Sequence, residues 1–182
     1  MKNQIELPWI EAGYQLFSKE GPAGLKVDIL ARTVGISRSS FYHLFGDLDI
    51  FQEKLLMYHS EMASNVAESV KLCKNIEPDF LLMMIKYQDY FFFYRQLRIH
   101  RENVTFRKGF EDAISKIQKE ASAIWSDMVG LEHKPEMARN IFRIAADILF
   151  HRITRETMNY EWLLGFLKEI KLLIKGMDKE SK

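Results

Sequence analysis

Two short amphipathic stretches meet at Gly35-Ile36-Ser37, and that junction limits the fold more than any other part of the sequence. Val27, Leu30, Ala31 and Val34 recur at three- and four-residue spacing, the apolar stripe of a short helix. Gly35 predicts its end, because glycine takes the left-handed conformation of a helix exit at little cost. Ser37 is a good N-cap for a second helix over about 38–45, its hydroxyl accepting from an otherwise unpaired backbone N–H. Phe41, Leu44 and Phe45 give that helix an apolar side and leave Arg38, Ser39, Ser40, Tyr42 and His43 for the others. Gly46 and Asp47 break it, and Asp47 is placed to cap the next helix. Two short helices joined by Gly-x-Ser make a helix-turn-helix, whose second helix enters the major groove of DNA.

The flanks read as helical throughout. A helix over about 9–20 carries Ile10, Gly13, Tyr14, Leu16 and Phe17 as its inner stripe, and Gly21-Pro22 stops it. Residues before Pro8 form a short arm or a frayed end, and in an arm Lys2 reaches a phosphate. From 48 to about 74 the pattern is helical without a breaker until Asn75-Ile76-Glu77-Pro78. The run from about 80 to 98 is apolar on most sides and predicts one buried helix; Lys86, Gln88, Asp89 and Arg95 interrupt it, which argues against a membrane span. Residues 100–108 form a break or a short helix, and a long helix covers about 109–130. Pro135 starts an eighth helix ending near 155, and Asn159 caps a ninth reaching about 176. The class is all-α, with about nine helices: a three-helix head over residues 1–47 and a helical-bundle body over 48–182.

At 182 residues the chain is long enough for a sizeable core. The lone Cys73 excludes an internal disulfide and reads as an ordinary side chain in a reducing compartment. No charged-then-apolar leader opens the chain, so the expectation is a cytoplasmic protein. Charge is close to balanced, at +1 overall. Residues 1–51 set Lys2, Lys19, Lys26, Arg32 and Arg38 against Glu6, Glu11, Glu20, Asp28, Asp47 and Asp49, a net of −1. Between Ile29 and Gly46 there is no acid, only Arg32, Arg38 and His43, so DNA binding would rest on that local patch.

These residues resemble the tetracycline-repressor (TetR) family. Ile10, Ala12, Leu16, Phe17, Gly21, Leu30, Ala31, Gly35, Ile36, Ser37, Phe41, Tyr42, Phe45 and Phe51 fall at that family's apolar and turn positions, and GISRSSFYHLF is similar to its recognition-helix motif. The likeness covers roughly the first 50 residues; beyond them only length and helical character agree. Three positions depart: Lys26 where the family usually has a Thr cap, Ser39 where Gly is common, and Leu48 where a lysine often meets a phosphate. The resemblance implies that Lys26, Ser37, Arg38, Ser39, Ser40, Tyr42 and His43 face DNA. Ser37 and Ser40 would take phosphates, and Arg38 a phosphate or a guanine edge.

The resemblance also implies a body that binds a small apolar or aromatic effector. Tyr87, Tyr90, Phe91, Tyr94, Phe106, Phe110 and Trp125 line such a pocket or are plain core. Asp147 and His151, four apart, orient a polar group of the ligand or pair with each other, Arg143 or Arg155. Family members join their last two helices to a twin in a four-helix bundle, where Phe142, Leu149, Ile153, Trp162, Phe166, Ile170 and Leu173 would lie; otherwise these residues face the chain's own core. A two-fold dimer addresses palindromic half-sites about one duplex turn, ~34 Å, apart. The five histidines are scattered, and no phosphate loop or nucleophile context occurs, so neither catalysis nor a cofactor or metal is expected. The expected function is a homodimeric transcriptional repressor on double-stranded operator DNA. The alternative is a helical interaction module whose degenerate helix-turn-helix no longer binds DNA.

Overall fold

The computed structural model describes residues 2–180, with the side chains of 2–3, 119, 123 and 177–180 outside the description. The Lys2 side chain, and with it its expected phosphate contact, therefore lies outside the description. Nine α-helices are present among the described residues and no strand. They are α1 (Lys2–Glu20), α2 (Val27–Val34), α3 (Arg38–Phe45), α4 (Leu48–Lys71), α5 (Leu81–Lys86), α6 (Gln88–Ile99), α7 (Val104–Met128), α8 (Pro135–Arg152) and α9 (Tyr160–Glu180). The chain divides into two compact units, one of residues up to Asn65 with Asp89–Lys116, the other of Val66–Gln88 with Ile117–Lys182.

In the first unit α1 begins at Lys2, not near Trp9, and runs through Pro8. Pro8 forfeits one backbone hydrogen bond, yet the added turns are held from outside. Glu6 is buried and accepts a 2.6 Å hydrogen bond from Lys54 Nζ on α4, and Trp9 is fully buried against Phe41 and Phe45. Trp9, Ile10, Tyr14 and Phe17 of α1, Leu30 of α2, Phe41 and Phe45 of α3 and Phe51 and Leu55 of α4 form one core, which also takes in Phe93, Leu97 and Phe106. The head is thus closed by α6 and α7 residues more than 40 positions downstream of α3.

Two further element boundaries depart from the sequence reading. The apolar run 80–98 is two helices, separated at Tyr87, whose backbone leaves the helical region at φ −103°, ψ 29°. The start of α6 is fastened to α1 by Gln15 Nε2 donating to Asp89 Oδ2 at 2.7 Å and Ser18 Oγ donating to the Asp89 carbonyl at 3.2 Å. An all-round apolar run hides such a break, since no periodicity changes there. In turn α7 starts at Val104, not near 109, because the Asn103 side chain accepts from the Thr105 and Phe106 N–H groups at 2.8 and 3.2 Å.

The second unit packs α5 on α9, and Leu81 and Met84 of α5 and Leu163, Phe166 and Ile170 of α9 are buried. Trp125 is buried, donates its indole N–H to the Ala138 carbonyl at 3.1 Å, and meets Phe142 edge-on at 5.4 Å. Arg152 of α8 pairs with Glu169 of α9 at 2.6 Å and lies over the stacked rings of Trp162 and Phe166.

Candidate nucleic-acid interface

The turn between α2 and α3 has the chemistry expected of it. Gly35 takes φ 75°, ψ 23° as the C-cap of α2, its N–H bonded to the Ala31 carbonyl. Ser37 caps α3: its Oγ accepts from the Ser40 N–H at 3.3 Å and shares a 3.0 Å hydrogen bond with the Ser40 hydroxyl. Asp47 caps α4 through the Ile50 N–H at 2.9 Å. Lys26 stands at the N-cap of α2, exposed and without a side-chain capping bond.

On α3 the apolar and polar residues separate cleanly. Phe41 and Phe45 are buried, while Arg38, Ser39, Tyr42 and His43 are exposed and Ser40 is half-buried. Stepping ~100° per residue, positions 38, 42, 39 and 43 fall within about 140° of arc, whose centre lies roughly 110° round the helix from the Phe41/Phe45 side. The side chain of Tyr42 is 53 % exposed and rests edge-on against Phe41 at 5.6 Å. Its ring is therefore positioned from one side by Phe41. The surface is a hydroxyl- and cation-bearing helix side with a helix N-terminus at one end, suited to phosphate oxygens and base edges.

One partner in this surface escapes a sequence reading. Arg38 Nη1 donates to Asp28 Oδ1 at 2.8 Å, an exposed pair joining the first turns of α3 and α2. Asp28 is one residue outside the acid-free window 29–46, so the patch is less positive than the window suggests. Ten residues separate the two, and only the turn brings them together. Leu48, where a lysine was the expected phosphate contact, packs half-buried against the head core.

Residues 10–48 match the family model for bacterial regulatory proteins of the tetR family. Over those residues the chain carries a tetR-family DNA-binding head. The matched residues run from α1 through the first residue of α4, the segment that carries the helix-turn-helix. Among curated proteins nothing matches the chain significantly. A tetR-family head makes it a DNA-binding transcriptional regulator.

The other residues singled out in sequence fall as follows in this regulator. Tyr90, Phe91, Tyr94 and Phe106 are buried and Phe110 half-buried in the first unit, with Tyr94 stacked on Phe110 at 5.1 Å. In the second unit Tyr87 is half-buried and shares a 2.9 Å hydrogen bond with Ser69. Trp125 is buried there, and Asp147 and His151 are exposed on α8. Of the seven residues expected at a dimer contact, Ile153, Phe166 and Ile170 are buried within the unit, Phe142, Leu149 and Trp162 half-buried, and Leu173 exposed.

One strongly perturbed group is a residue the sequence did not mark. His59 of α4 is buried, shares a 2.8 Å hydrogen bond with the Tyr14 hydroxyl through Nδ1, and is stacked between Tyr90 and Phe93 at 4.6 and 4.5 Å. Burial holds its imidazole down to about 3, an effect that the nearby Asp112 carboxylate only partly offsets. Its Nε2 and the Tyr90 hydroxyl have no hydrogen-bond partner among the described residues. Burial also raises the phenols of Tyr14 and Tyr90 well above the usual tyrosine range. Among the described residues no group of three His, Cys, Asp or Glu side chains could hold a metal ion, and no helix is long and apolar enough to cross a membrane.

Proposed function

We propose that this regulator is a homodimeric repressor that leaves its operator when a small apolar or aromatic effector binds the body. The observation that carries the DNA part is the division of α3 into a buried Phe41/Phe45 side and an exposed Arg38/Ser39/Tyr42/His43 side. A helix used only for packing has no need of that exposed donor set. Dimerisation through α8 and α9 is supported by Ile144, Leu172 and Leu173, which stand 58, 69 and 61 % exposed on those two helices. Effector binding is supported by the aromatic cluster of the first unit, where Tyr90 Oη and His59 Nε2 are buried without a partner. Buried polar groups are normally hydrogen-bonded, and a ligand carrying one polar atom on an aromatic body would supply the missing bond. In this reading residues 1–47 are the head and 48–182 the body, the protein works in the cytoplasm beside the DNA, and the chemistry is binding alone. Effector binding shifts α4 and alters the separation of the paired recognition helices, which requires unequal affinity for the two states.

The test is binding to the DNA upstream of its own gene over a salt series, beside an Arg38→Ala/Tyr42→Ala double variant. Neutralised phosphates release counterions, so wild-type affinity falls steeply with salt and the variant loses at least tenfold. A second reading keeps the fold but not the DNA: an interaction module with a degenerate helix-turn-helix. The Asp28–Arg38 pair, the net charge of −1 over residues 1–51 and the packing of Leu48 into the core favour it. Absent or salt-independent binding in the same series selects that reading.

A further inference from the structure

We infer that Asp28 is a specificity determinant: it holds Arg38 so that the guanidinium takes a guanine edge in the major groove and is a poor partner for phosphate. The inference rests on the reading that α3 meets DNA, and it adds what Arg38 reads there and which residue makes it do so.

The pair consists of a first-turn residue of each helix of the helix-turn-helix, 2.8 Å apart, with the two side chains 67 and 63 % exposed. Exposed ion pairs contribute little to stability. The main consequence of this one is therefore where it puts the arginine. Asp28, Ala31, Arg32, Ile36, Ser37 and Arg38 line one shallow hollow at the turn, so the guanidinium is drawn across the surface from α3 toward α2. A free arginine explores many rotamers, and a tethered one is pre-organised for whatever fits its remaining donors.

What fits follows from charge and geometry. A guanidinium has five N–H donors, and the bond to Asp28 uses one at Nη1. Those left over suit the two neutral acceptors of guanine, N7 and O6, in a bidentate contact. A phosphate oxygen at the same fork would bring a second negative charge beside the Asp28 carboxylate, and that repulsion removes much of the attraction a lone arginine would offer. A neutral base edge incurs no such repulsion. The carboxylate thus converts a residue of general DNA affinity into one that discriminates between sequences, the role of a repulsive element in specific recognition.

Random-sequence selection with the full-length protein tests this, comparing wild type with Asp28→Asn, Arg38→Ala and Arg38→Lys, followed by affinities for the selected site and for a variant with the guanine replaced. Wild type is expected to select a guanine that both Arg38→Ala and Arg38→Lys stop selecting, since lysine keeps the charge and loses the fork. Asp28→Asn should lower the preference for that guanine about tenfold while strengthening binding to unrelated DNA, with a salt slope steeper by about one phosphate contact. Equal unfolding midpoints for wild type and Asp28→Asn exclude misfolding as the cause. An Asp28→Asn protein that keeps the full guanine preference, or that weakens evenly on every sequence, overturns the inference. So does an Arg38→Lys protein that still selects the guanine. A wild type that selects no sequence at any salt overturns the DNA-binding reading itself, a result distinguishable from the others.

Discussion

At the scale of single residues, His59 ties stability to acidity. Its ring is neutral inside a wall of Tyr14, Tyr90 and Phe93, and burial holds its proton affinity down to about 3. In the unfolded chain the same imidazole titrates near 6.5. Below pH 6.5 the unfolded state therefore takes up a proton that the folded state refuses, and acid favours unfolding until the folded ring itself titrates near 3. Urea unfolding between pH 7 and 5 should show a loss approaching about 1.4 kcal/mol per pH unit from this residue once below 6.5. His59→Phe should remove that part of the slope, whatever it does to stability at pH 7. An unchanged slope in the variant would mean that His59 is not the buried neutral group. The lone thiol points the other way from reactivity: Cys73 donates to the Ser69 carbonyl and burial raises its pKa, so little thiolate forms.

Among the elements, the helix-turn-helix depends on a few backbone decisions. Gly35 has φ 75° and open space where a Cβ would sit, so substitution there meets conformational strain alone. Gly35→Ala should lower stability by about 1–2 kcal/mol and Gly35→Asn by less, because Asn tolerates the left-handed region, as chemical denaturation would show. An alanine variant as stable as wild type would contradict this account of the turn. Gly35, Ser37 and Asp47 were legible in sequence because each acts on residues within a few positions of itself. The unseen parts depend on distant chain. The turns of α1 around Pro8 are held by Glu6, whose partner Lys54 is 48 positions away, and the break at Tyr87 lies inside a run whose apolar sides all look alike. Asp28 reads locally as a good first-turn acid of α2, favourable to the helix dipole, and nothing nearby announces its bond to Arg38. His59 reads as one more scattered histidine until Tyr14, from 45 positions upstream, meets it.

At the scale of the whole molecule, the proposed dimer is what turns one recognition helix into an operator reader. Leu172→Glu/Leu173→Glu places charges on exposed positions of α9, with little disturbance expected inside the chain. If that surface faces a second copy, the double variant should run as a monomer in sedimentation. It should also bind a two-half-site operator at least tenfold more weakly while keeping its helical content. A dimer that survives both substitutions would place self-association elsewhere. The core of the head carries a further consequence, for anyone recombining regulators of this kind. Phe93, Leu97 and Phe106 complete the packing begun by Trp9, Phe17 and Phe41, so the packed unit is discontinuous in the gene. A chimera spliced after residue 47 would inherit a recognition helix and leave behind part of the hydrophobic wall that supports it. A transplant that respects the packing has to carry residues 89–116 along with the first 65, and through the three crossings at 65/66, 88/89 and 116/117 the donor brings its own connection to the rest of the chain.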